Sequence, residues 1–243
     1  MSDPLGQLWG IGVGPGDPEL ITVKALNCLR RCPVVAFPAG RNGRPGMAQT
    51  IVTPWLNPDQ VQVPLWFPYV QDASTLETAW QGAATQIGSY LRQGQDVVFA
   101  TEGDASFYST FTYLAQAVQQ QQPQVQVHTI PGVCSPLAAA AALGQPLTVQ
   151  HQRLTILPAM YTLDTLETAL DQAEVVVLMK VAAVYPQVWA ILQRRELLAQ
   201  SRVVTHISGH DQVIYDNLDN HPQLSLPYFS LLIVHCGQNH PLG

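Results

Sequence analysis

A glycine-rich loop follows the first apolar run of the chain and spans Gly12–Glu19 (GVGPGDPE). Loops between a strand and a helix commonly hold phosphate with successive backbone N–H groups and the helix N-terminus. Pro15 has no N–H to donate, and Asp17 and Glu19 add negative charge where a helix N-terminus is positive. The loop predicts a strand-to-helix turn that suits a neutral or cationic ligand, such as the sulfonium S-adenosylmethionine. The alternative is a tight turn that binds nothing.

The composition excludes several classes of protein. Of 243 residues, 47% are hydrophobic and 12% are charged, whereas roughly a quarter are charged in typical domains. This balance indicates a large core or a subunit interface. The net charge of −6 argues against nucleic acid, which requires a basic face. No apolar run reaches the roughly 18 residues of a membrane span, and no signal peptide is recognisable. We therefore expect a cytoplasmic protein without a membrane partner.

The cysteines and histidines do not predict a metal site. The four cysteines show no paired ligand spacing, so reduced thiols are expected. His206 and His210 are separated by Gly209, which interrupts any helix between them, and no third ligand is evident. No metal is therefore expected.

Short apolar runs alternate with helical patterns along the whole chain, which predicts an α/β fold. The first helix is expected over Pro18 to Arg31, with Asp17 as its N-cap. The pattern restarts after Pro146, so we place two α/β domains at residues 1–146 and 147–243. Near the end, 212–218 and 229–234 predict a closing antiparallel pair.

A second motif, Thr101–Tyr108 (TEGDASFY), follows a strand and opens a helix. Gly103 permits a ligand to approach the backbone, and Glu102 and Asp104 add negative potential that favours a sulfonium. Phe107 could cover an adenine or a methionine chain. The alternative is that Asp104 only caps a helix that begins at Tyr108.

Two further segments lie at predicted strand ends. In 130–136 (IPGVCSP), Ser135 is expected to cap a helix, and Cys134 has no histidine partner that would make it a nucleophile. In 176–180 (VVLMK), Met179 would face a cofactor and Lys180 an anionic substrate. The alternatives are helix packing for the first segment and a core strand with an exposed lysine for the second.

Together these segments resemble the tetrapyrrole methylase family in order and spacing over nearly the whole chain. The stretches that carry the resemblance are GVGPGDPELITVKA, TEGDASFYST, IPGVCSPLAAAAALGQPL, VVVLMKV and YFSLLIV. Within the family, FPAG after the second strand, LPA at 157–159, LMK and YFSLLIV look most like the members that methylate C20 of precorrin-2. The resemblance thus implies a place in cobalamin synthesis.

The resemblance implies a homodimer of two-domain chains, with S-adenosylmethionine in a cleft between the domains. Carried over position by position, it places the cofactor contacts on Pro15, Glu102, Gly103, Asp104, Phe107, Cys134, Ser135, Met179 and Gly209. The chain departs from the family where Ala105 replaces a usual proline and Cys134 a frequent serine or threonine. It departs again in THISGHDQ at 205–212, around Gly209.

The implied substrate carries several carboxylates. Arg41, Arg44 and Lys180 are expected to hold some of them, because arginine grips carboxylate bidentately; the alternative is that the arginines are solvated. The C20 carbon of the tetrapyrrole is electron-rich, but one proton must leave after methylation. Asp104 and Tyr228 are the candidates for guiding that loss.

Three alternatives stay open at this point. The methyl acceptor could be cobalt-precorrin-2, or another position of a tetrapyrrole such as uroporphyrinogen III. A nicotinamide-dependent oxidoreductase would require an acidic ribose-binding residue about 20 positions after the glycines, where Val34–Phe37 stand instead. A binding protein with this fold and no activity is the third.

Overall fold

The computed structural model describes residues 4–40, 44–68, 70, 72–158 and 162–237. The chain divides into two compact units, Met1–Cys134 and Ser135–Gly243, and each contains a five-stranded sheet. The division falls at Cys134, whereas the sequence predicts a boundary after Pro146. The helix at Ser135–Ala142 accounts for the difference, because it contacts the last strand of the second unit.

The described part of the first unit is an all-parallel sheet with helices between its strands. Its strands run in the order β3-β2-β4-β1-β5. Because both faces of a parallel sheet are covered, its central strands are continuous apolar runs rather than alternating ones. The elements are β1 (Leu8–Gly12), α1 (Val23–Arg31), β2 (Val34–Pro38), α2 (Met47–Val52), β3 (Val61–Leu65), α3 (Ala73–Leu91), β4 (Val97–Thr101), α4 (Phe111–Gln121) and β5 (Val127–Ile130).

Two apolar clusters cover the two faces of this sheet. Residues of α3 and α4 pack on one face around Phe99 and Leu8, and residues of α1 and α2 pack on the other around Phe37 and Ile11. The register pairs Gly12 with Thr101 and Ile11 with Ile130. The carboxyl ends of β4, β1 and β5 therefore lie side by side at one edge.

The second unit contains a mixed sheet in the order β6-β7-β10-β8-β9. Its last strand runs antiparallel between β7 and β8, so the carboxyl ends of β7 and β8 meet the amino end of β10. One apolar cluster lies against the sheet, with Tyr185 fully buried in it. The elements are α5 (Ser135–Ala142), β6 (Leu154–Leu157), α6 (Leu163–Gln172), β7 (Val175–Met179), α7 (Tyr185–Arg194), β8 (Ser201–Thr205), β9 (Val213–Tyr215) and β10 (Ser230–His235).

The single helix predicted over Pro18 to Arg31 is wrong in its first turn. Asp17 does act as an N-cap, but of a short 3₁₀ turn at Pro18–Leu20, where its carboxylate accepts the N–H of Glu19 at 2.8 Å. The backbone is then extended at Ile21, and Thr22 caps α1. The N-terminus of α1 is thus separated from the glycine loop by this turn.

Three other features differ from the sequence prediction. The predicted antiparallel pairing of 212–218 with 229–234 is wrong, because β9 pairs with β8 rather than with β10. The elements α2 and β3 were not predicted. The segment of β3 (VQVPL) carries a proline, which is tolerated because β3 is an edge strand.

Among the described helices, none combines the length and apolarity that a bilayer crossing requires.

Candidate functional site

Three loops of the first unit meet at the carboxyl edge of its sheet. Gly14 and Gly103 exchange backbone hydrogen bonds: the N–H of Gly103 donates to the Gly14 carbonyl at 2.8 Å, and the reverse bond is 3.2 Å long. Both residues have positive φ, 83° and 68°, a region that glycine enters without penalty. The loop after β1 is therefore tied to the loop after β4.

The third loop, after β5, packs against the other two through backbone atoms. A Cβ added to Gly132 would lie 2.3 Å from the Gly103 carbonyl oxygen and 2.6 Å from the Gly12 carbonyl carbon. A Cβ on Gly12 would lie 2.6 Å from that same oxygen and 2.7 Å from the Gly132 nitrogen. We call Gly12, Gly103 and Gly132 the glycine junction; it leaves no room for a side chain between the three loops.

Asp104 connects the second loop to the third. Its Oδ2 accepts the N–H of Gly132 at 2.7 Å, and its Oδ1 accepts the N–H and the hydroxyl of Ser106 at 2.8 and 2.6 Å. Burial acts to raise the pKa of Asp104, but these hydrogen bonds outweigh it and hold the pKa below its usual value. The carboxylate is therefore ionised and occupied on both oxygens, which makes it a weak base.

The helix after this motif does not begin where the sequence predicts it. Tyr108 has a left-handed backbone with φ of 51°, and α4 begins only at Phe111. Asp104 is consequently not its N-cap; the hydroxyl of Ser109 accepts the N–H of Phe111 instead, at 3.1 Å.

The other residues predicted in the first unit surround the glycine junction. Pro15, Glu102, Phe107 and Cys134 are all half-buried. Gly103 lies directly against the third loop, with 4.0 Å between a Cβ built on it and the Cα of Cys134. The structure thus brings these positions to one edge of the first sheet. Ser135 belongs to the second unit, where it is the first residue of α5.

In the second unit, Met179 and Lys180 stand at the end of β7, as the sequence predicts. Lys180 has a left-handed backbone, with φ of 54° and ψ of 39°. Its Nζ lies 5.1 Å from the ring centroid of Tyr228, and Tyr228 precedes β10 at the same edge. An ammonium over an aromatic face is attracted by the ring quadrupole, so these two predicted residues form one pair.

The turn after β8 contains a close histidine–aspartate contact that the sequence did not predict. The Nδ1 of His206 lies 2.6 Å from Oδ2 of Asp211, and Gly209 donates its N–H to the His206 carbonyl at 2.8 Å. The sequence offers His206 only together with His210, as half of a metal site that lacks a third ligand. A histidine and an aspartate five residues apart around a glycine were the available signal.

The structure gives less information on the two arginines that are predicted to bind substrate carboxylates. Arg44 is exposed in the loop that precedes α2, and Arg41 lies outside the described residues. Within the described residues, His, Cys, Asp and Glu side chains form no group of three that could hold a metal ion.

Comparison with known proteins identifies relatives along almost the entire chain. The chain is 33% identical to the Cobalamin biosynthesis protein CobIJ of Mycobacterium bovis, over 98% of this chain and 47% of that protein; it thus spans about half the length of that relative. It is 30% identical to Precorrin-2 C(20)-methyltransferase of Sinorhizobium sp, over 95% of both chains. It is 31% identical to Cobalt-precorrin-2 C(20)-methyltransferase of Salmonella typhimurium, over 94% of this chain and 96% of the other.

Solved structures share the fold. Uroporphyrin-III C-methyl transferase from Thermus thermophilus, complexed with S-adenosylhomocysteine, superposes with a TM-score of 0.66 at 19% identity, over 94% of this chain and 97% of that one. The predicted architecture of two α/β domains is thereby confirmed. The family profile of Tetrapyrrole (Corrin/Porphyrin) Methylases matches residues 7–220. The chain therefore belongs to the tetrapyrrole methylase family.

Proposed function

We propose that this protein transfers a methyl group from S-adenosylmethionine to C20 of precorrin-2, giving precorrin-3A in cobalamin synthesis. The observation that carries the proposal is the 30% identity to a precorrin-2 C(20)-methyltransferase over 95% of both chains. The alternative substrate is cobalt-precorrin-2, on which a relative of 31% identity is named to act. The activity is that of a C-methyltransferase in either case.

The first loop supports a sulfonium co-substrate over a dinucleotide. A pyrophosphate site requires free N–H groups at a helix N-terminus. Here the carboxylate of Asp17 already accepts the N–H of Glu19, and Thr22 caps α1. The ionised Asp104 stands at the neighbouring loop and would repel phosphate while attracting the positive sulfur.

We place the co-substrate contacts on the residues carried over from the family. Those of the first unit surround the glycine junction, which shapes the backbone that an adenosyl ligand would approach. The contacts on Ser135, Met179 and Gly209 in the second unit stay predictions, and Asp104 and Tyr228 stay the alternatives that the sequence offers for the acceptor of the departing proton.

The reaction is an in-line displacement at the methyl carbon. An electron pair of C20 forms the new carbon–carbon bond while the sulfur–methyl bond breaks and its electrons neutralise the sulfonium. The C20–H bond then breaks, and a base takes the proton. Holding C20 and the methyl group collinear supplies most of the acceleration, up to roughly 7–11 kcal/mol in favourable cases.

Incubation with precorrin-2 and ¹³C-methyl-labelled S-adenosylmethionine tests the proposal. We expect a product with one added methyl group whose carbon signal is assigned to C20 by NMR. A parallel incubation with cobalt-precorrin-2 identifies the preferred acceptor. Label at another ring carbon would refute the assigned position, and absence of transfer to any tetrapyrrole would refute the activity.

Calorimetry gives an independent test of the co-substrate. We expect S-adenosylhomocysteine to bind and NAD to give no heat of binding. Tight NAD binding without binding of S-adenosylhomocysteine would instead support the oxidoreductase.

The loop that precedes α2 carries Arg41 and Arg44, and it gives a prediction on tetrapyrrole binding alone. Replacing Arg41 and Arg44 together with alanine should weaken tetrapyrrole binding roughly tenfold to a hundredfold, because hydrogen bonds to charged groups contribute about 1.5–3 kcal/mol. The affinity for S-adenosylhomocysteine should not change. The exposed Arg92, replaced with alanine, is the control. Equal tetrapyrrole affinity in all three proteins would remove these arginines from the site.

We also propose that the protein is a cytoplasmic homodimer, as the family resemblance implies. Large apolar side chains on its surface support an interface; Val23 is 73% and Leu137 57% exposed in the single chain. Sedimentation equilibrium should give twice the mass of one chain, and a monomer at micromolar concentration would contradict the dimer.

A further inference from the structure

We propose that His206, oriented by Asp211, takes the proton that leaves C20 after methyl transfer. The inference rests on the proposed function, since only a C-methylation at a carbon that bears hydrogen requires such a base. It assigns His206 as a catalytic residue and Asp211 as the residue that positions it.

The pair has the geometry of an oriented base. The 2.6 Å contact joins Nδ1 of His206 to Oδ2 of Asp211. An ionised carboxylate only accepts hydrogen bonds, so in a neutral imidazole Nδ1 carries the hydrogen and Nε2 keeps its lone pair. The side chain of His206 is 26% exposed. Its ring is therefore held in place yet open to a ligand.

The position of His206 places this base beside the predicted anion-binding lysine. His206 directly follows β8, and its N–H donates to the carbonyl of Phe229 at 2.9 Å. The adjoining Tyr228 carries Lys180 over its ring. A base and a cation thus lie at the same edge of one sheet, on either side of the amino end of β10. That is a suitable arrangement for a substrate that bears both carboxylates and an acidic C–H.

Three non-glycine residues at this edge have a left-handed backbone, a strained conformation that clusters at functional sites. His206 and Ser208 have φ of 44° and 63°, and Lys180 has φ of 54°. Side chains other than glycine rarely adopt these values, and they persist only where surrounding contacts hold them. Here the N–H of Ser208 donates a hydrogen bond to Oε1 of Gln212 at 2.7 Å. The turn therefore fixes the direction of the His206 ring at a cost in backbone energy.

The two acceptors predicted from sequence are less suited to this step. Both oxygens of Asp104 already accept hydrogen bonds, and its pKa is held low. The hydroxyl of Tyr228 carries a proton of its own, and its ring lies under the ammonium of Lys180. In His206, the contact of Nδ1 with Asp211 leaves the lone pair of Nε2 to take the proton, and the carboxylate stabilises the imidazolium that forms.

The proposed step balances without another reactant. After methyl transfer, C20 carries both the new methyl group and its hydrogen, and the conjugated system bears the positive charge. The C20–H bond breaks, its electron pair returns to the conjugated system, and the proton moves to Nε2 of His206. The imidazolium, paired with Asp211, then releases that proton to water.

Replacing His206 with asparagine tests the role directly. Asparagine tolerates a left-handed backbone and keeps an N–H donor for Asp211, but it has no counterpart of Nε2. We expect kcat for precorrin-2 to fall roughly 10²- to 10⁴-fold, the usual contribution of a general base. The affinity for S-adenosylhomocysteine should not change. His210 is exposed on the same turn, and His210→Asn should retain wild-type turnover.

A substrate deuterated at C20 separates a lost base from a structural fault. If His206 is the base, C20–H cleavage becomes slower in His206→Asn and the primary isotope effect on kcat increases above the wild-type value. Asp211→Asn should show a smaller increase in the same direction. A structural defect would slow methyl transfer and leave the isotope effect as it is in the wild type.

The outcomes distinguish this inference from the proposed function. Wild-type protein that transfers no methyl to C20 would overturn both. Wild-type methylation combined with full turnover by His206→Asn would overturn the base alone. Reduced turnover with an unchanged isotope effect, or with weakened S-adenosylhomocysteine binding, would also overturn it and assign the pair a structural role.

Discussion

Gly132→Ala is expected to lose stability and most of its affinity for S-adenosylhomocysteine. The added Cβ would lie 2.3 Å from the Gly103 carbonyl oxygen and 2.6 Å from the Gly12 carbonyl carbon. Both are backbone atoms and cannot rotate away, so the loops must separate. Overpacking of this kind costs about 1–3 kcal/mol, and the shift also breaks the hydrogen bond from Gly132 to Asp104. Urea denaturation should show the lower stability.

The affinity change follows from the same displacement. The loop must move by about an ångström to bring the added Cβ from 2.3 Å to an ordinary contact of 3.4 Å. If the co-substrate contacts the edge at which the glycine junction lies, that movement misplaces several of its contacts at once. We expect a loss of tenfold or more, which corresponds to about 1.4 kcal/mol, measured by calorimetry with S-adenosylhomocysteine.

Gly82→Ala is the matched control. Gly82 lies inside α3, is exposed, and has no atom within 4 Å of an added Cβ. Alanine is favoured over glycine in a helix by roughly 0.5–1 kcal/mol, so this variant should be at least as stable as the wild type and bind equally well. Gly132→Ala with wild-type stability and affinity would show that the three loops do not need to touch.

The sequence predicts the inner strands β1, β2 and β4 of the first sheet well because they are mostly apolar and buried, whereas the edge strand β3 was not predicted. All of β4 and all but the last residue of β2 are buried, and each strand begins with four consecutive apolar residues. A short apolar run of this length is typical of a buried strand. The error in the first helix has a local cause. Apolar spacing continues through residues 18–31, whereas α1 begins after Thr22 because the Thr22 hydroxyl oxygen accepts the N–H of Ala25 and caps the helix there.

The motifs of the candidate site are visible in the sequence, but their convergence is not. Each motif follows a strand, so it is expected at a carboxyl edge. That the loops after β1, β4 and β5 touch depends on β1 lying between the other two strands, a long-range arrangement that no local pattern encodes. The His206–Asp211 pair was missed for a related reason, since it forms across a strained turn rather than along a helix or strand.

Asp104→Asn is expected to weaken both the fold and the co-substrate site. An asparagine side chain keeps one oxygen acceptor but presents an NH₂ donor in place of the other. It therefore cannot accept from both Gly132 and Ser106 as the carboxylate does. Hydrogen bonds to a charged group contribute about 1.5–3 kcal/mol, and we expect a stability loss of that order at pH 7. Affinity for S-adenosylhomocysteine should fall, since the second and third loops are no longer joined.

The pH dependence of that loss identifies its origin. Because the pKa of Asp104 is lower in the folded protein than its ordinary value, its contribution to stability is complete above the unfolded pKa of about 3.9. The contribution disappears as the pH falls through the folded value. Urea denaturation should therefore give a constant difference between wild type and Asp104→Asn from pH 7 to about 5, which narrows below about 4.

Asp72→Asn separates the loop contact from a general effect of removing a carboxylate. Asp72 caps α3, and hydrogen bonds from Thr75 and Ser74 lower its pKa to about 2. Asparagine caps helices about as well as aspartate, so this variant should keep wild-type affinity for S-adenosylhomocysteine. Equal losses of affinity in both variants would mean that Asp104 acts only through overall charge. A loss confined to Asp104→Asn means that its carboxylate holds the loops that the ligand contacts.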